Sequence, residues 1–236
     1  MRARTPEITD DNGSFAADQP GSKQTVGVLL TDNKKHADVF RTNELSKLID
    51  SSYIRQTEVR ERVLDGLQIW SDVFQDLLHL RVARTRDPRH KTVALEHLDE
   101  ELGHNANLRK QRGADEKPIS DEQLTSAMAW FDFQMLHGSD VTKSMLMHIV
   151  LETAGEIFHQ NAAPAFADMP HFREHGEHDA DHVEMGIELL TDASPLELED
   201  LRATMTEGWR RITIIFDRIA AIAAAEAHTA DRPTAR

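Results

Sequence analysis

The chain contains no cysteine. That absence excludes disulfides, thiolate metal sites, cysteine-held iron–sulfur clusters and a cysteine nucleophile. It agrees with a reducing cytoplasm, the compartment expected here. Tyrosine occurs once, at Tyr53, which argues against a tyrosyl-radical cofactor. Cationic residues are scarce relative to anionic ones, 27 Lys and Arg against 41 Asp and Glu, giving a net charge of −14. With no basic excess to neutralise phosphates, neither a nucleic-acid partner nor docking on an anionic membrane is expected. No apolar run approaches the length of a membrane span. The opening stretch MRARTPEITDDNGSF has no apolar core of signal-peptide type.

The 236 residues suffice for one sizeable domain. Residues 1–25 are rich in Asp, Gly, Pro, Thr and Ser without periodicity, so a disordered tail is expected there, and another at 229–236. The span 26–228 is expected to form a single helical metal-binding domain. Val26-Gly27-Val28-Leu29-Leu30 suggests a short strand or extended segment, with Thr31-Asp32-Asn33 capping a helix that enters at Lys34. From Thr42 the pattern is almost wholly helical. Apolar residues Val59, Val63, Leu67, Trp70, Phe74, Leu77 and Leu78 recur at three and four along a helix ending near Arg84. Asp87-Pro88 opens a helix to about Gln111, ended by Gly113. Ser120 and Gln123 form a capping-box pattern for a helix to about Leu136. Further helices are expected over Val141–Asn161, from Pro170 to about Leu190, and from Ser194-Pro195 to about His228. Six or seven helices with short connections predict an all-α bundle.

Three triplets share one spacing, four residues then three: His97, Glu101, His104; Glu152, Glu156, His159; and His175, Asp179, His182. At about 100° per residue each triplet falls on one helix face. A single His or Glu on a helix usually faces solvent, and charge runs such as EHLDEE usually mark a solvated surface. Here Val93, Leu95, Leu98 and Leu102 flank the first triplet, and Glu152 directly succeeds Ile149-Val150-Leu151. A carboxylate in so apolar a segment is buried and requires a partner. Facing helices can pool such residues into a carboxylate-bridged di-iron site. Imidazole and carboxylate without sulfur suit non-haem iron with open positions for O₂, and manganese suits the same ligands. Roles for the remaining histidines, among them His79, His90, His137, His148 and His171, are not assigned. Trp70, Phe74, Phe131, Phe133 and Phe158 are candidates to line a pocket.

At these residues the chain resembles the haem-oxygenase-like diiron oxidases and oxygenases. The likeness rests on HLDEELGH (Glu101, His104), on IVLETAG (Glu152), and on the F-x-x-H-x-x-x-D-x-x-H pattern at Phe172, His175, Asp179 and His182. It covers roughly residues 40 to 190. It implies a seven-helix haem-oxygenase-like bundle, with two Fe²⁺ ions held by Glu101, His104, Glu152, His175, Asp179 and His182, Glu152 bridging. It implies an O₂-dependent non-haem oxidoreductase acting on a small molecule such as an amine, amino acid or fatty acid. Some members add a carboxylate from the first core helix, where Glu58, Glu61, Asp65 and Asp72 are available. Thiaminase-type relatives require the cysteine that is missing here. The alternative is a ferritin-like four-helix bundle that binds iron without turning over an organic substrate, using the E-x-x-H pairs Glu101/His104 and Glu156/His159. The expected partners are O₂ and the substrate, and a homodimer is compatible with either reading.

Overall fold

A computed structural model describes residues 20–113 and 116–230; the side chains of 20–22, 174–181 and 227–230 lie outside the description. The elements are α1 (Pro20–Phe40), α2 (Glu44–Asp50), a 3₁₀ turn (Ser52–Arg55), α3 (Thr57–Arg84), α4 (Pro88–Glu101) and α5 (His104–Arg112). They continue with α6 (Glu122–His137), α7 (Asp140–Ser144), a π-helical segment (Met145–Leu151), α8 (Glu152–Ala162), α9 (Pro170–Leu189), a 3₁₀ turn (Leu190–Asp192) and α10 (Leu198–Ala230). No strand occurs among the described residues. The architecture is the expected all-α bundle. No described helix is long and apolar enough to cross a membrane.

Local chemistry sets the helix starts. Asp87 caps α4 by accepting from the backbone N–H groups of Arg89 and His90, with Pro88 in the first turn. Pro170 likewise opens α9. Asn43 and Ser139 cap α2 and α7. The cap of α6 is Asp121, which accepts from Leu124 N–H, and not Ser120 as the capping-box pattern suggested. Asp121 also pairs with Arg218 of α10, so one carboxylate both starts a helix and ties it to another.

Three expectations are corrected. Val26–Leu30 is neither strand nor extended: it lies inside α1, which begins at Pro20, so helix replaces the last residues of the expected tail. Val26 and Leu29 are buried three residues apart, a helical spacing that a five-residue apolar run conceals. At the other end α10 runs to Ala230, past the expected boundary at 228. The single helix expected from Asp87 to Gln111 is broken: Gly103 takes φ +87°, where a side chain would be strained, and donates its N–H to Gln75 Oε1 at 2.9 Å.

α10 packs on α1, α2, α3 and α6, and α8 packs on α9. Trp209, Ile212, Ile215, Phe216 and Ile219 of α10 are buried. Each contributes about 1.5–3 kcal/mol on burial, so this helix anchors the bundle. Phe40 meets both Trp209 and Phe216, and Phe158 meets Phe216 and Phe172, so one aromatic chain crosses from α1 to α9. These contacts hold α8 and α9 side by side, which sets the position of Glu152 relative to His182.

Candidate metal centre

Three helices converge on one buried spot. His97 and Glu101 come from α4, Glu152 from the start of α8, and His182 from α9; their exposures are 0%, 3%, 4% and 3%. One ligand atom from each of His97, Glu152 and His182 lies within 4.8 Å of the others, a spacing that admits a metal ion. His182 Nδ1 is 3.3 Å from Glu152 Oε2 and 3.5 Å from Glu101 Oε1. His97 Nε2 is 2.9 Å from Glu152 Oε1, yet neither atom has a hydrogen bond of good geometry. Two buried carboxyl groups and an imidazole thus face one another, with a buried oxygen left over. That donor set fits a hard or borderline divalent cation such as iron or manganese.

The π-helical segment explains how Glu152 gets there. Seven residues, Met145 to Leu151, are all buried, and the wider turn re-aims Glu152 at the start of α8. Gly186 of α9 packs against this segment; a Cβ there would stand 2.3 Å from His148 Cβ. The backbone of α9 therefore approaches as only glycine allows, one turn beyond His182.

The electrostatics arise from this crowding. Burial pulls the His182 imidazolium down, but Glu152, then Glu101 and Glu100, outweigh it and hold the group up at about 9. Glu100 Oε2 accepts from His182 Nε2–H at 3.0 Å, which leaves Nδ1 as the atom presented to Glu101 and Glu152. Burial pushes His148 far below its ordinary range, helped by the Arg81 charge, with the His182 backbone opposing. Burial also lowers Arg81, to about 10, with Glu152 and Asp140 opposing. Arg81 therefore stays a guanidinium at neutral pH.

The structure sorts the residues singled out in the sequence. Glu101, Glu152 and His182 meet as expected. His104 reaches Glu101, with Nδ1 2.9 Å from Oε2, but from α5 across the Gly103 break rather than along one helix face. His175 and Asp179 lie on α9, and their side chains are outside the described residues. The second triplet divides: Glu156 accepts from Gln160, whereas His159 packs against His171 and Phe172. The E-x-x-H pairs therefore do not converge as a ferritin-like site requires. Two of the α3 carboxylates are engaged elsewhere. Asp65 is buried against Arg62 and Arg112, and Asp72 is held by Asn105 and Arg109. From α3, cationic Arg81 contacts His97. His90, His148 and Glu100 also belong to this region. His148 sits in an apolar run as Glu152 does, so the same signal was available for it.

A cavity of about 90 Å³ opens beside the centre. Glu101, His104 and Glu152 form part of its wall, with Trp70, Phe74, Phe158, Phe172, His159 and His171 around it. Phe131 is buried in the core and Phe133 is 57% exposed, so neither lines it.

No family model matches the chain. By structure it resembles a TenA homologue from Pseudomonas syringae (TM-score 0.66, 15% identity, 82% of this chain and 91% of that one). It also resembles a TenA homologue from Pyrococcus furiosus (TM-score 0.67, 15% identity, 83% and 99%). A domain of unknown function with a haem-oxygenase-like fold from Shewanella denitrificans aligns similarly (TM-score 0.63, 15% identity, 91% and 95%). At such identity these likenesses establish the fold alone. By sequence it is 30% identical over 200 residues to an uncharacterized protein of Rickettsia prowazekii, RP592, covering 84% of this chain and 95% of that protein. The chain therefore belongs to the family of RP592, on a haem-oxygenase-like fold.

Proposed function

We propose that this protein is an O₂-dependent non-haem oxidoreductase whose metal centre holds two iron ions and acts on a small molecule in the adjoining cavity. The observation that carries the reading is the buried pair Glu101 and Glu152, facing His182 Nδ1 at 3.5 and 3.3 Å on the wall of that cavity. Glu101, Glu152 and His182 are the metal-holding residues of this proposal, joined by His104, His175 and Asp179 from the sequence pattern. Bound iron would supply the electrons that O₂ chemistry requires.

The chain's own residues supply the rest. Glu100 keeps the proton on His182 Nε2 and so aims Nδ1 inward. Trp70, Phe74, Phe158 and Phe172 keep bulk water from the carboxyl groups. At about 90 Å³ the cavity favours a small substrate over a long acyl chain. The apolar wall supports a substrate-oxidising site over one that only accumulates iron.

The test is anaerobic Fe(II) loading with metal analysis, then O₂ and a panel of amines, amino acids and fatty acids. Two irons per chain and O₂ consumption coupled to one substrate are expected. Glu152→Ala and His182→Ala should lose iron. Ferric mineral accumulating without substrate oxidation would instead establish an iron-handling protein, and unchanged iron content in both variants would place the metal elsewhere.

A further inference from the structure

A line of buried polar groups runs from the surface to Glu152, and its proton positions can be read one at a time. Arg81, His90, His97 and Ser144 are all at most 2% exposed. Arg81 Nη1 contacts His97 Nδ1 at 3.3 Å, and Arg81 Nη2 contacts Ser144 Oγ at 3.4 Å. A guanidinium only donates, so His97 Nδ1 and Ser144 Oγ both accept from it. Ser144 Oγ lies 2.8 Å from His90 Nδ1, so the serine hydroxyl can donate onward to that nitrogen. His90 Nε2 then carries the proton and donates to Asp192 Oδ2 at 3.0 Å, at the protein surface.

The same logic fixes His97. A neutral imidazole has one lone pair, and here Arg81 uses it. The proton therefore sits on Nε2, 2.9 Å from Glu152 Oε1. The contact lies off the ideal N–H direction, but an N–H attracts a carboxylate oxygen at that distance, whereas a bare nitrogen lone pair would repel it. Proximity alone groups His97 with Glu152 and His182 as a metal-binding set; the Arg81 contact separates it from them.

We propose that His97 is a positioning residue and not a metal ligand: Arg81 locks it as the Nε2–H tautomer, so that it holds Glu152 Oε1 and leaves Oε2 to face His182. Asp192, His90 and Ser144 hold Arg81 from the far side. The locked tautomer concerns the metal-free chain. Only the role of Glu152 as a ligand rests on the proposed function.

Two measurements test this. In metal-free protein, long-range ¹H–¹⁵N correlation in mildly alkaline buffer reports the tautomer of each histidine. His97→Gln and His90→Gln provide the assignments. His97 and His90 are both expected as Nε2–H, with His97 leaving that state in Arg81→Met. A His97 Nδ1–H pattern in the wild-type protein overturns the proposal, whether or not Arg81→Met folds. The second measurement is Co(II) stoichiometry by equilibrium dialysis. Gln retains an N–H donor near the imidazole Nε2 position but is a poor metal ligand. His97→Gln should therefore keep the wild-type number of Co(II) ions per chain, while Glu152→Gln loses at least one. Loss of one Co(II) in His97→Gln overturns the proposal. If the wild-type protein takes no Co(II), the proposed metal centre fails while the tautomer measurement still decides the His97 assignment.

Discussion

Gly186→Ala is the smallest change that should disturb the centre without touching a polar residue. The new Cβ would stand 2.3 Å from His148 Cβ, 3.1 Å from His148 Cγ and 3.2 Å from Ile149 Cδ1. Carbon atoms pack at about 3.5–4.0 Å, so α9 and the π-helical segment must separate by about 1.2–1.7 Å at this point. The first of those contacts is a Cβ fixed to the backbone, so rotamer changes cannot relieve it. Overpacking of this kind costs about 1–3 kcal/mol. The alanine returns about 1 kcal/mol of helix propensity, leaving a net loss of up to about 2 kcal/mol. At about 2–4 °C per kcal/mol for a chain of this size, the melting temperature should fall by several degrees. His182 lies one turn away on the same helix and moves with it, so its carboxyl contacts lengthen and its pKa falls from about 9 toward the ordinary value. Gly27→Ala is the control, because a Cβ there meets nothing within 4 Å and the helix should gain stability. Thermal melts and a histidine NMR titration measure both effects. A Gly186→Ala protein that melts at or above the wild-type temperature with His182 still titrating near 9 would refute the packing argument.

The same contacts set three further outcomes. Because His182 is held protonated up to about pH 9, metal binding through Nδ1 must expel a proton. Calorimetry with Co(II) in buffers of different ionisation enthalpy should show that proton, with affinity falling about tenfold per pH unit below about 9; a pH-independent affinity would count against Nδ1 as a ligand. Asp65→Asn leaves the buried Arg112 without its carboxylate and should cost about 3–5 kcal/mol in urea denaturation, with the metal centre's Co(II) stoichiometry unchanged. Glu207 is held down at about 2, first by Arg210 and then by Arg211, with burial opposing. A depressed carboxylate stabilises the fold above its ordinary range near 4.5 and loses that contribution as pH falls toward about 2. Glu207→Gln should therefore cost under about 1 kcal/mol at neutral pH and nothing in strong acid, as read by melts across that range.

The bundle and half of its centre were legible because both are written in local spacing. The apolar periodicity of α3, the Pro88 and Pro170 starts and the Glu101, Glu152 and His182 positions are all short-range patterns. What could not be read are the partners chosen by tertiary packing. Arg81 meets His97 across 16 residues, His90 meets Ser144 across 54, and His182 meets Glu100 across 82. No periodicity encodes those pairings. The apolar flanks of the first triplet misled in part: Leu95 and Leu102 are 49% and 58% exposed, although Glu101 between them is buried. The Gly103 break and the π-helical segment were hidden for another reason. Both replace regular α-helix locally in a stretch whose composition is helical throughout, and only packing against Gln75 and Gly186 selects them.

Two cations attend Glu152, and they differ in permanence. Arg81 is fixed in the core and stays charged at neutral pH. It acts on Glu152 through His97, from the side away from the cavity. The His182 proton is labile, and it occupies the direction from which a metal ion would approach. In the metal-free chain that proton bridges Glu101 and Glu152 and keeps the two carboxyl groups together. On the proposed function, a bound metal would replace that proton at His182 Nδ1, while Arg81 and His97 would hold Oε1 in place. A site arranged this way differs from small metallo-domains that fold only around their ion. It is assembled beforehand by aromatic packing between α8, α9 and α10, and on the proposed function its metal affinity would be set chiefly by competition with a single proton.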